Sequence, residues 1–166
     1  MPHTKNAFIR TASLSLVCAI PLFLSAVSHA SEPSTANSLR LQTSVEDVNG
    51  VRDIEAGNLN DGLRKTLATL SRTTVASQRQ PLLNNLCATY IALEQLSSAH
   101  SACDAAVSSG SRNAVALNNR AVLNCKVGNA KQCVDDLKQA QRLRKVDEVI
   151  AANLSLAQQT ILIAAQ

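Results

Sequence analysis

Two sets of side chains in this 166-residue chain stand at spacings that could do chemistry. The first is Asn85, Asn119 and Asn153, separated by 34 residues and again by 34. Asparagine is a poor residue for a helix interior, yet its carboxamide carries a donor and an acceptor side by side, which suits a peptide backbone. The second set is Cys87, Cys103, Cys125 and Cys133, which remain when Cys18 is set aside with the N-terminal segment described below. An even number of cysteines in an exported chain suggests disulfides, with three pairings open from the count alone.

Catalytic groupings are missing from the sequence. It has no nucleophile with an adjacent base, no paired carboxylates in a catalytic pattern and no phosphate-cradling glycine loop. His100, the only histidine past residue 30, lies one helical turn from Cys103 and is the nearest approach to a thiol–imidazole pair. Cys103 is expected to face a partner helix and be oxidised, so no enzyme activity is expected. There is no Cys-x-x-Cys motif for thiol–disulfide exchange, and the cysteines lack the paired short spacing of zinc sites. No cofactor and no metal are expected. Asp135 and Asp136, with the basic run from Lys138 to Lys145, read as the solvated face of a helix.

The elements that must position these residues repeat. From Leu117 to Ala140 the chain reads as a helix (Leu117, Ala121, Asn124), a turn at Gly128-Asn129, and a second helix (Cys133, Leu137, Ala140). Moving back 34 residues, the same offsets carry Leu83, Cys87, Tyr90, Ala99, Cys103 and Ala106. A period of about 34 residues made of two helices is the signature of a helical-repeat array. Composition agrees. Hydrophobic residues make up 46% of the chain but aromatics only 2%, and Tyr90 is the sole aromatic beyond Phe8 and Phe23. Closely spaced helices can use such a Leu, Val and Ala core, whereas strands would need alternating β-branched and aromatic residues. The expected class is all-α, in one domain.

Residues 1–30 carry a basic start (Lys5, Arg10), an apolar run from Ala12 to Val27 and a close in Ser28-His29-Ala30. This is the pattern of a secretory signal peptide cleaved after Ala30, placing the protein in the periplasm or outside the cell. The apolar run is shorter than the ~20 residues of a bilayer span and holds Pro21, so no stable membrane span is expected after cleavage. With Lys5 and Arg10 gone, 14 of the 16 basic residues face 12 acidic ones, a net charge of +2. That balance offers no footprint for nucleic acid.

Residues 31–43 are rich in Ser, Pro, Thr and Asn and read as a flexible leader that folds with nothing. Thr43 or Ser44 can then cap a helix along the stripe Val45, Val48, Val51 and Ile54, which Gly57 should end. Leu59, Leu63, Leu67 and Leu70 form the returning helix. Aligned on its glycine turn, this first hairpin (about 44–74) has Gly50 and Gly62 where Ala121 and Cys133 fall later, and Val48 where the asparagine falls. Arg72 to Arg79 reads as a polar connector, with Pro81 in the first turn of the next helix. The remaining hairpins are expected at about 80–109, turning near Glu94-Gln95-Leu96, and 113–145. A capping helix at 147–165 ends in the apolar tail Ile161, Leu162 and Ile163.

Helical geometry selects a cysteine pairing. Cys125 and Cys133 lie four residues either side of Asn129, and Cys87 and Cys103 eight either side of Gln95. Steps of four stay on one helix face, so each pair should meet across its own turn. The disulfides expected are Cys87–Cys103 and Cys125–Cys133.

With these residues laid out, the chain resembles the tetratricopeptide repeat (TPR) family. Asn119-Arg120-Ala121, Gly128-Asn129, Cys133, Leu137 and Ala140 follow the family hairpin in the third repeat. Asn85-Leu86-Cys87, Tyr90, Ala99, Cys103 and Ala106 follow it in the second. The resemblance covers about 44–166 and implies a right-handed α-solenoid of about three hairpins plus the cap. It further implies a concave groove, lined by the first helix of each hairpin, that holds a peptide or protein partner. Asn85, Asn119 and Asn153, with Asn84, Asn118 and Val122, are the groove residues this assigns. The asparagines either contact the partner's backbone or belong to the repeat's own hydrogen bonding. Asn84 and Asn118 stand where some relatives carry basic residues that clamp a terminal carboxylate, so that clamp is not expected. The function expected is an exported adaptor; the alternative is a self-associating assembly component that uses the Ile161–Ile163 tail.

Overall fold

The computed structural model describes residues 38–109 and 113–164. The expected signal peptide, its cleavage site and residues 31–37 lie outside these. Among the described residues there are seven helices and no strand: α1 (Val51–Glu55), α2 (Leu59–Leu70), α3 (Ala76–Ala92), α4 (Leu96–Ser109), α5 (Ala114–Lys126), α6 (Ala130–Leu143) and α7 (Glu148–Ala164). The chain is all-α. No described helix is long and apolar enough to cross a membrane.

Sequence-adjacent helices pack in pairs, α1 with α2, α3 with α4 and α5 with α6, and α6 packs on α7. The alternate helices also touch in succession: α1 with α3, α3 with α5, α5 with α7. The middle helices are therefore enclosed on several sides. Every residue from Gln80 to Thr89 in α3 is buried, as are Ala114 to Asn119 and Ala121 to Asn124 in α5. A helix buried all round has to place polar side chains inside, and it is stable only if each finds a partner.

The turns follow the expected punctuation. Gly57 and Gly128 adopt φ of 81° and 83°, the left-handed region that ends a helix at low cost for glycine. Glu94, 34 residues before Gly128, occupies the same left-handed position at φ 59°. Small residues let paired helices close up: Ala99, Cys103, Ala106, Ala121, Cys133 and Ala140 are all fully buried. Both expected disulfides form, with Cα–Cα distances of 4.7 Å for Cys87–Cys103 and 5.2 Å for Cys125–Cys133.

Two boundaries differ from expectation. The first helix does not begin at Thr43 or Ser44: α1 starts at Val51, after Gly50 in a left-handed conformation (φ 96°), and Val45 is 76% exposed. The residues before it are drawn away by hydrogen bonds described below. The connector 72–79 is also shorter than expected, because α3 starts at Ala76 and Pro81 lies inside it. Pro81 removes the helical donor to the Ser77 carbonyl, but Ser77 is exposed, and Arg79 Nη1 anchors this first turn by donating to the Leu70 and Thr73 carbonyls at 3.1 and 2.6 Å.

Candidate functional site

Asn84 and Asn85 on α3, Asn118 and Asn119 on α5, and Asn153 on α7 are buried to 1% or less of their surface. One side of the row they form is taken by residues 39–44, which run as an extended strap rather than a free leader. At the first rung, the Arg40 amide donates to Asn153 Oδ1 at 2.8 Å while Asn153 Nδ2 donates to the Arg40 carbonyl at 2.8 Å. At the second, the Gln42 amide donates to Asn119 Oδ1 at 2.9 Å and Asn119 Nδ2 donates back to the Gln42 carbonyl at 2.7 Å. At the third, the Ser44 amide donates to Asn85 Oδ1 at 2.8 Å.

Each rung thus meets alternate strap residues, as an extended chain requires, since N–H and C=O groups of residues two apart point the same way. The strap runs against the order of the repeats, with Arg40 beside Asn153 and Ser44 beside Asn85. Asn84 and Asn118 link the rungs. Asn119 Nδ2 also donates to Asn84 Oδ1 (3.0 Å) and Asn153 Nδ2 to Asn118 Oδ1 (2.8 Å), while Asn84 and Asn118 donate to the Gln42 and Arg40 carbonyls at 3.3 and 3.1 Å. The strap's fixed donors and acceptors settle which way round the rung carboxamides sit. Such a network offsets the cost of burying five carboxamides only while its backbone partner is in place.

Leu39 and Leu41 project from the strap onto the cluster that holds Leu86, Ile91 and Val122. Beside them runs a cleft of about 610 Å³ whose lining includes Ile91, Val122, Leu156, Ala157 and Ile161. Val122 thus lines the cleft next to the strap. Gln42 reaches further, its Nε2 lying 3.2 and 3.4 Å from the two carboxylate oxygens of Asp147. Asp147 in turn accepts from the Val149 and Ile150 amides at the start of α7, both at 3.1 Å. Burial pushes the Asp147 carboxyl up, but the Ile150 amide, Gln42 and Arg144 outweigh it and hold the group below its ordinary value.

Asp136 corrects another expectation. It is not a solvated residue: it is 2% exposed and accepts from Arg120 Nε and Nη2 (both 2.9 Å), Asn124 Nδ2 (3.2 Å) and Gln132 Nε2 (3.0 Å). Hydrogen bonding to Asp136 raises the Arg120 guanidinium above its already high value against the opposing effect of burial. Asp135, one residue earlier, is exposed and pairs with Lys131, and Lys138, Arg142 and Lys145 are exposed. His100 is exposed, and its neighbour Cys103 is held in the disulfide with Cys87. Among the described residues no three side chains of His, Cys, Asp or Glu gather so as to hold a metal ion.

Sequence reasoning missed the strap itself. Its signal was the alternation Leu39, Arg40, Leu41, Gln42 in a stretch otherwise read as irregular, a period-2 pattern too short to stand out alone. Compared with known proteins, the chain matches no protein-family model and no curated protein.

Proposed function

We propose that this chain is an exported adaptor of tetratricopeptide type, a right-handed α-solenoid whose α3, α5 and α7 groove holds an extended segment of another protein. One observation carries the reading: Asn119 and Asn153 each bond both backbone groups of a single extended residue. A carboxamide used this way recognises backbone whatever the side chain, which is the chemistry of a peptide receptor. The succession of contacts among α1, α3, α5 and α7 supports the solenoid reading. Two disulfides are compatible with an oxidising compartment outside the cytoplasm.

Crosslinking in the native cell envelope followed by mass spectrometry tests the proposal. Wild type should capture a partner that Asn119→Ala loses by about tenfold or more while circular dichroism shows helicity retained. Undiminished capture by Asn119→Ala would remove the groove from the function. A second reading, self-association, rests on Leu162 and Ile163, which are 66% and 73% exposed at the end of α7. Sedimentation of the chain with and without residues 160–166 decides it, because an oligomer indifferent to the truncation does not use the tail.

A further inference from the structure

We propose that residues 39–44 are a built-in occupant of the groove, and that the partner is an extended peptide of the same chemistry, apolar at two alternate positions, which displaces them. The inference rests on the peptide-binding reading above and names both the ligand class and the competitor it meets.

The ladder addresses backbone only, so Arg40, Gln42 and Ser44 contribute nothing to it that another extended chain could not supply. Selectivity lies in the other face of the strap, where Leu39 and Leu41 pack against the cluster of Leu86, Ile91 and Val122. These leucines leave the adjoining cleft of about 610 Å³ unfilled, so a ligand with larger apolar residues at the same two positions has room to bury them.

The chain's own strap also uses the ladder incompletely. Asn153 and Asn119 each pair with both the N–H and the C=O of a strap residue, but at the third rung only the Ser44 amide is engaged, and the buried Asn85 Nδ2 has no partner. The reason is covalent: after Ser44 the chain must turn out of the groove to reach Gly50 and enter α1. Ser44 Oγ and Gln42 Oε1 are buried and unpartnered as well. A peptide bound in trans has no such obligation. It can remain extended past the third rung and give its carbonyl to Asn85 Nδ2, one hydrogen bond more than the strap makes, worth about fivefold to tenfold in affinity.

The strap's advantage is its tether. A short flexible connection holds a segment at an effective concentration on the order of millimolar. Against that competitor, a peptide of intrinsic Kd about 10 μM would appear about a hundredfold weaker. The partner therefore has to outdo the strap through the third rung and the cleft.

The test uses the full exported chain and two fluorescein-labelled synthetic peptides, SLRLQTSV, which copies residues 38–45, and SSRSQTSV, which lacks both leucines. The substitutions Leu39→Asp and Leu41→Asp together release the strap. The released protein should bind SLRLQTSV at least thirtyfold more tightly than wild type and SSRSQTSV at least tenfold more weakly than SLRLQTSV. Adding Asn119→Ala should abolish binding. Equal affinity of released and wild-type protein overturns the competition, and equal affinity for the two peptides overturns the apolar selection. If neither peptide binds the released protein while wild type still captures its envelope partner through Asn119, this inference fails and the proposed function stands. Should the released variant lose helicity, hydrogen exchange on wild type replaces it. Saturating SLRLQTSV should then speed exchange at the Gln42 and Ser44 amides, and a bound peptide that leaves them protected overturns displacement.

Discussion

The third hairpin, α5 with α6, and the first, α1 with α2, follow one pattern but are held together by different means. In the third, fully buried Ala121 packs with Cys133 and Leu137, the Cys125–Cys133 disulfide spans the turn, and Arg120 and Asp136 close the outer edge. The first has no disulfide, and its interhelix ion pair, Lys65 with Asp53 at 2.7 Å, is more exposed than that of Arg120 with Asp136. Gly50 and Gly62 stand in for Ala121 and Cys133, and the two backbones meet directly: a Cβ on Gly62 would lie 2.5 Å from Ile54 Cγ1 and 3.1 Å from the Gly50 carbonyl. Its α1 has only five residues. The contrast teaches that the same stretch of backbone cannot serve as both the first turns of α1 and the third rung of the strap. The ladder wins the residues before Gly50 because it offers Ser44 a buried partner in Asn85 that an exposed helix end does not.

The largest effect expected is on the stapled hairpins. Reducing both disulfides frees loops whose closure contributes about 3 kcal/mol for Cys87–Cys103 and about 2.5 kcal/mol for Cys125–Cys133. Against a typical domain stability of 5–15 kcal/mol, denaturant unfolding with and without reductant should show a loss of about 5 kcal/mol. An unchanged midpoint would mean that packing, not crosslinking, holds α3 to α6.

Next comes Asp136→Ala, which leaves Arg120 and Asn124 facing an empty position. A loss of about 3 kcal/mol is expected, at the low end for a broken buried pair because the Arg120 side chain is 23% exposed. A loss under 1 kcal/mol would return Asp136 to the role of a surface residue. In the first hairpin, Gly62→Ala should cost about 1–2 kcal/mol by overpacking, despite alanine's better helix propensity. A stabilised Gly62→Ala protein would show that the glycine contact is not what joins α1 to α2.

Smaller still is the pH response of the strap. Asp147 is held below its unfolded value of about 3.9, so the stability it contributes is complete above that pH and is lost as pH falls through the folded value. Protection of the Gln42 amide should therefore drop on acidification, and Asp147→Asn should remove that dependence. The smallest change concerns Glu94, a non-glycine residue in a left-handed turn. Glu94→Gly should stabilise by about 0.5 kcal/mol, the relieved backbone strain outweighing the exposed ion pair with Lys126. A lower unfolding midpoint would sink that expectation.

Much of this architecture was legible in the residues. The 34-residue recurrence of asparagines and small residues placed α3 to α7 within a few positions, because each constraint is local: a helix face repeats every three to four residues, and a turn demands a left-handed residue. The cysteine pairing followed from the same periodicity. Pro81 misled because proline is usual in a first turn and can also be tolerated deeper when the carbonyl it orphans is exposed. Asp136 misled because its burial depends on Arg120, which is sixteen positions away and on another helix.

By itself, then, the sequence determined the helices, their turns and the two disulfides, which are set by short-range periodicity and chain geometry. Only the tertiary structure decided what the asparagines hold. Arg40 and Asn153 are 113 residues apart and Gln42 and Asn119 are 77 apart. An extended segment laid across three helices has no helical period to announce it, and its hydrogen bonds come into being only when α3, α5 and α7 stand side by side.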